Sequence, residues 1–119
     1  MAQQYSDASI EMAKYIKRIL LSGGNITMSW GVSDMHPYEN GNDIGLSFHV
    51  DGFKMTGTVV IVYDEGADYF IIHFIPDGAP ERKESVNDIC FDELVSVIDS
   101  RVEYTGEDYN SRVKKEYNL

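Results

Sequence analysis

The sequence predicts an α+β fold in the order αββββα, a four-stranded antiparallel meander with an N-terminal and a C-terminal helix packed on one face. Three observations predict it. Residues 44–75 read as three consecutive antiparallel strands, with one apolar and one polar face near Asp51-Gly52 and apolar side chains on both faces toward Tyr63. Residues 6–21 and 92–104 repeat apolar side chains at helical spacing instead. Clusters of Gly, Asp, Asn and Ser separate these stretches, which places turns between successive elements and makes sequential neighbours the default sheet partners.

The first helix is expected from Ser6 to Leu21. Met12, Ile16, Ile19 and Leu20 share a face, with Ala8 and Ala13 beside them. Ser6 suits the N-cap, and Asp7 and Glu11 lie near the positive end of the helix dipole. Lys14, Lys17 and Arg18 lie toward its negative end, and Ser22-Gly23-Gly24 stops it. Ile26–Val32 alternates Ile26, Met28, Trp30 and Val32 against Thr27, Ser29 and Gly31, so it reads as the first strand. The following stretch, 33–43, is rich in turn formers and reads as a long loop of the kind that often carries function.

Asp51-Gly52 suits a two-residue hairpin turn between Ile44–Val50 and Phe53–Tyr63. That turn would set Val50 opposite Phe53, Phe48 opposite Met55, Leu46 opposite Gly57 and Ile44 opposite Val59. A second turn at Asp64–Asp68 leads to Tyr69–Ile75. If Tyr63 faces Tyr69, then Val60, Val62, Phe70, Ile72 and Phe74 share the second sheet face, an apolar patch that something must cover. Residues 76–84 read as loop, and Ile89-Cys90-Phe91 as a short extended piece. Asp92 is placed to cap a helix to about Tyr104, with Leu94, Val95, Ile98 and Val102 on one face. Residues 105–119 form a tail that is either weakly ordered or a third helix through Tyr109, Val113 and Tyr117.

A chain of 119 residues reads as one domain, 1–119, long enough to bury roughly two thirds of its unfolded surface. It has no apolar run long enough to span a membrane and no secretory leader pattern at its start. A single cysteine, Cys90, fits a reducing compartment, so the expected location is cytoplasmic. The charge is distinctive. Twenty acids against ten bases give −10. From Asn25 to Pro80, Asp34, Glu39, Asp43, Asp51, Asp64, Glu65, Asp68 and Asp77 face one base, Lys54. Direct nucleic-acid binding through the sheet is excluded by that sign, whereas a basic protein partner suits it.

Candidate chemistry is sparse. Cys90 lies between Ile89 and Phe91 with no glycine-rich elbow or second cysteine near it, and reads as a small buried hydrophobe. The histidines His36, His49 and His73 show no ligand spacing, and Asp64–Asp68 is too short for a calcium loop. No metal, cofactor or catalytic set is therefore expected. The leading expectation is a non-enzymatic interaction module, an inhibitor or immunity-type protein that occupies a basic nucleic-acid-binding partner. Its contact residues would be Asp34, Glu39, Asp43, Asp64, Glu65, Asp68, Tyr38 and Tyr69. A second expectation is a small-ligand or enzymatic pocket beside the 33–43 loop, lined by Trp30, His36 and His49. A third is a homodimer that buries Val60, Val62, Phe70, Ile72 and Phe74.

Overall fold

Alternation along the chain resolves into a five-stranded antiparallel sheet in the computed structural model, which describes residues 5–24, 30–52 and 54–102. The order is α1 (Asp7–Leu21), β1 (Ser33–Asn40), β2 (Asp43–Asp51), β3 (Thr56–Asp64), β4 (Tyr69–Pro76), β5 (Glu84–Ile89) and α2 (Leu94–Val102). The sheet is a meander, β1-β2-β3-β4-β5, so every strand pairs with its sequence neighbour. No helix among the described residues is long and apolar enough to cross a membrane.

α1 begins where its capping residue dictates. Ser6 is the N-cap, and its hydroxyl accepts from the Ser9 N–H at 3.1 Å. Ser9, Ala13, Ile16 and Leu20 recur at helical spacing and are buried against β1 and β2. A carboxylate from the sheet completes the cap: the Ser6 N–H donates to Glu39 Oε1 at 2.9 Å, and the Ser9 hydroxyl reaches the same oxygen at 3.2 Å. These bonds satisfy the buried Ser9 and fix the start of α1 against β1.

The 33–43 stretch is not a loop. Residues 33–40 form edge strand β1, and Gly41-Asn42 makes the tight hairpin turn, with Gly41 at φ +64°. Pro37 pairs opposite Leu46, which an edge strand tolerates because its missing N–H faces no partner strand. Residues 26–29 of the expected first strand lie outside the described residues, and Trp30–Val32 are not strand. Trp30 is instead fully buried, and its indole N–H donates to Asp99 Oδ1 at 3.1 Å.

Both expected hairpin registers shift. Val50 pairs with Gly57, Phe48 with Val59, Leu46 with Ile61 and Ile44 with Tyr63. Asp51 belongs to β2 and pairs with Thr56, whose hydroxyl donates to the Asp51 carboxylate at 3.0 Å. The turn is longer because it docks on the end of α2, where the Lys54 N–H donates to Val102 O at 2.7 Å. A four-residue slip is even, so each side chain keeps its face. The second slip is one residue and reverses the faces of β4. Asp64, not Tyr63, pairs with Tyr69, which sets Phe70, Ile72 and Phe74 opposite Tyr63, Ile61 and Val59. The larger side chains of β4 thereby join the core, and Ile71, His73 and Ile75 take the other face with Val60 and Val62.

The core is one cluster. Leu46, Phe48, Val50, Val59, Ile61, Phe70, Ile72 and Phe74 from the sheet meet Ile16 and Leu20 of α1 and Leu94, Ile98 and Val102 of α2. The sheet is folded tightly enough to require glycine at Gly45, where an added Cβ would lie 1.7 Å from the Ile61 carbonyl oxygen. β5 replaces part of the expected 76–84 loop and 89–91 extension. It is a polar edge strand whose Asp88 adopts φ +58° within an irregular pairing to β4. α2 starts through a 3-10 turn at Phe91–Glu93 capped by Cys90 rather than by Asp92. Tyr104, the expected end of that helix, and the whole 105–119 tail lie outside the described residues.

Candidate functional site: an acidic, aromatic cleft at one end of the sheet

Strand pairing gathers four chain segments at one end of the molecule. Glu39, Ile44, Tyr63, Phe70 and Ile89 lie on one row of neighbouring strands. The row carries the turn after β1, the turn between β3 and β4 and the end of β5, and the Ser6–Glu39 bond brings in the start of α1. Residues 5–11, 39–44, 63–70 and 88–93 hold two, two, three and three carboxylates, and no lysine or arginine. Folding thus concentrates a charge bias that the sequence spreads over separate stretches.

A cleft of about 680 Å³ opens at this end, between α1 and the segment that joins β5 to α2. Met12 and Tyr15 of α1 form one wall, and Cys90, Phe91 and Asp92 the other. Tyr63, Ala67, Asp68, Tyr69 and Phe70 of the β3–β4 hairpin close it. Two further hollows continue it on either side of Tyr15, one toward Glu11 and Glu65, the other toward Ile19 and Val95. Among the described residues, four large apolar side chains stand exposed. Three of them line this cleft: Tyr15 at 42%, Tyr69 at 38% and Phe91 at 58%. Exposed rings gathered in one concavity mark an interaction surface more strongly than the same rings scattered.

The walls are held in place by short-range bonds. The Tyr63 hydroxyl donates to Asp68 Oδ1 at 2.7 Å, and the Tyr63 ring lies 5.4 Å from that of Phe70, tilted by 55°. Asp68 itself adopts φ +57°, which turns the chain back into β4 and leaves its carboxylate at the cleft. The accepted bond from Tyr63 and the charge on Asp68 together push the Tyr63 phenol up. The Cys90 N–H donates to Glu93 Oε1 at 3.1 Å, one half of a capping box that sets the position of Phe91. Burial raises the Cys90 thiol, and its hydrogen bond to Glu93 raises it further. Cys90, Asp92 and Glu93 approach within 4.8 Å of one another, and Cys90 and Glu93 form the capping box at the start of α2.

Several expected contact residues meet here and others do not. Asp64, Glu65, Asp68 and Tyr69 lie in the β3–β4 hairpin, and Asp43 borders the same end. Glu39 is there too, but its carboxylate is bound to Ser6 and Ser9. The Ser6 backbone N–H, then the Ser6 and Ser9 side chains, hold it below the usual carboxylate range against an opposing desolvation. Asp34 lies at the other end of β1, at φ +53°, and Tyr38 pairs opposite Gly45 directly before Glu39, so alternation sends it to the face opposite Glu39. Tyr15 and Phe91 were missed: Tyr15 flanks a helix face whose apolar neighbours are core, and Phe91 resembles a continuation of Ile89-Cys90. Their cue was an aromatic ring among exposed helix positions in Tyr15 and a position just before a helix in Phe91.

The residues expected to line a small-ligand pocket do not converge. Trp30 is enclosed in the core, and His36 sits on edge strand β1 with its Nδ1 2.9 Å from Asp34 O. His49 Nε2 meets Asp77 Oδ2 at 2.7 Å at the opposite end of the sheet from the cleft. The five residues expected to form a dimer patch are divided. Phe70, Ile72 and Phe74 lie under the helices, while Val60 and Val62 belong to the second face. In comparisons with known proteins, no family model, no curated sequence and no solved structure matches the chain.

Proposed function

We propose that the protein is a non-enzymatic binding module whose acidic, aromatic end engages a basic protein and occludes its nucleic-acid-binding surface. The observation that carries this reading is the coincidence of two independent features. The four chain segments gathered there hold ten carboxylates and no lysine or arginine, with Arg18 of α1 in the hollow beside Tyr15, and the same end holds Tyr15, Tyr69 and Phe91, three exposed rings. Charge alone would suit solubility, and exposed rings alone would suit many surfaces. Together they suit a partner that is both basic and apolar, because rings supply desolvated contact area while carboxylates steer and orient. In this reading Asp64, Glu65 and Asp68 stand where backbone phosphates would approach the partner, and Asp43 extends the same charged border. Tyr69 anchors the contact beside them.

Reversal of Asp64, Glu65 and Asp68 to lysine tests it. Asp64 ends β3 and Glu65 and Asp68 lie in the turn that follows, all three outside the core, so the variant is expected to keep its fold. Binding to the basic partner should fall by at least about a hundredfold, since close interfacial charges each contribute on the order of 1.5 kcal/mol or more. The control reverses Lys14 and Lys17, which lie on exposed turns of α1. Equal effects from the two variants would overturn the reading.

A further inference from the structure

We propose that the cleft between Tyr15, Tyr69 and Phe91 seats the side chain of a partner lysine, with its aliphatic stem against the rings and its ammonium group between Asp68 and Asp92. The inference rests on the reading of the acidic end as the surface for a basic protein, and it names the group that enters. The walls select that chemistry. Met12 and Phe70 give an apolar interior, the exposed rings of Tyr15 and Phe91 stand at its mouth, and Tyr69 borders it. Asp68 and Asp92 are the charged residues of the lining, which contains no lysine or arginine. An anion would meet two carboxylates, and the nearest base on the lining of these hollows, Arg18, belongs to the adjoining one and not to the cleft. A small hydrated metal ion would gain nothing from the rings, and the carboxylates would remain without a partner around a purely apolar group. An ammonium on a flexible hydrocarbon stem satisfies both kinds of wall, through the quadrupole of the rings and through the carboxylates. The bond that Asp68 Oδ1 accepts from Tyr63 holds the carboxylate in place and leaves its second oxygen for the incoming cation.

The test uses n-pentylammonium chloride as the lysine side-chain mimic and n-pentanol as its uncharged counterpart, each titrated into the full chain. The ring-proton resonances of Tyr15, Tyr69 and Phe91 are followed by nuclear magnetic resonance. Pentylammonium should give saturable shifts in the millimolar range, and pentanol should not at the same concentrations. Phe91→Leu retains apolar bulk at an exposed position and removes the π face, so it should weaken pentylammonium binding about fivefold. Asp68→Asn and Asp92→Asn together should weaken it by about tenfold or more. The proposal is overturned if pentanol shifts the same rings as strongly, if Phe91→Leu leaves the affinity unchanged, or if no saturable shift occurs. A basic partner that binds through Asp64, Glu65 and Asp68 while pentylammonium fails would overturn the lysine seat and leave the interaction reading standing. Saturable pentylammonium binding without any basic partner would support the seat and overturn that reading.

Discussion

Glu39 links a single carboxylate to the placement of a helix. Its bonds to Ser6 and Ser9 stabilise the ionised form in the folded protein, so its pKa lies below the value in the unfolded chain. The stability it contributes is therefore present above the ordinary carboxylate pKa and is lost as pH falls through the lowered value. A Glu39→Gln variant should melt at a lower temperature than the parent at neutral pH. The gap should narrow as pH falls from the ordinary carboxylate range through the lowered Glu39 value. Thermal melts of both proteins across that range check the sign, and a gap constant with pH would contradict it. His73 shows the opposite charge logic. Desolvation on the sheet, aided by nearby Lys83 and opposed by Asp43, lowers its pKa, so acid protonation costs stability from its ordinary value downward. Ser85 Oγ, 2.7 Å from His73 Nδ1, holds the ring in place.

At the scale of elements, the central strands were legible and the edges were not. Leu46, Phe48 and Val50 alternate with Gly45, Ser47 and His49 along β2, which reports its core face, whereas Val59–Val62 of β3 is a continuous apolar run buried on both faces. β1 and β5 carry few apolar residues, since an edge strand has less to bury and is protected by proline, bulges and charge. Their sequences therefore resemble loops. Register was legible modulo two for β2–β3, where the slip kept the faces, and not for β3–β4, where the slip exchanged them. Two bonds go with the observed registers: the tertiary one from the Lys54 N–H to Val102 O, and the local one within the β3–β4 turn from the Asp68 N–H to Asp64 O at 2.8 Å. Two adjacent isoleucines test the outcome. Ile72→Ala should cost about 2–5 kcal/mol because Ile72 is fully buried in the core. Ile71→Ala, on the partly open second face, should cost about 1 kcal/mol or less. Chemical denaturation measures both, and a larger loss at Ile71 would contradict the observed register.

For the whole molecule, the fold separates charge. The four segments at the cleft end contain no base, while Lys54, Arg82 and Arg101 line a hollow of about 340 Å³ at the far end with Glu84. Lys54 Nζ donates to Ser100 O at 2.8 Å, and Arg101 pairs with Glu84, so part of that positive charge is engaged within the chain. The carboxylates of the cleft end largely face solvent. The acidic half of the site was legible in the sequence, because Asp64, Glu65 and Asp68 fall within five residues. The aromatic half was not, because Tyr15, Tyr69 and Phe91 meet only when α1, the β3–β4 hairpin and the start of α2 fold together. An account built on this asymmetry predicts how binding responds to salt. The most direct measurement is capture of partners on the immobilised protein from lysate of its native cells, eluted in steps of rising salt, beside the Asp64, Glu65 and Asp68 lysine variant. The account predicts a basic, nucleic-acid-binding protein that is retained at low salt, released as salt rises and absent from the variant. A partner retained equally by both proteins, or one whose release does not depend on salt, would contradict it.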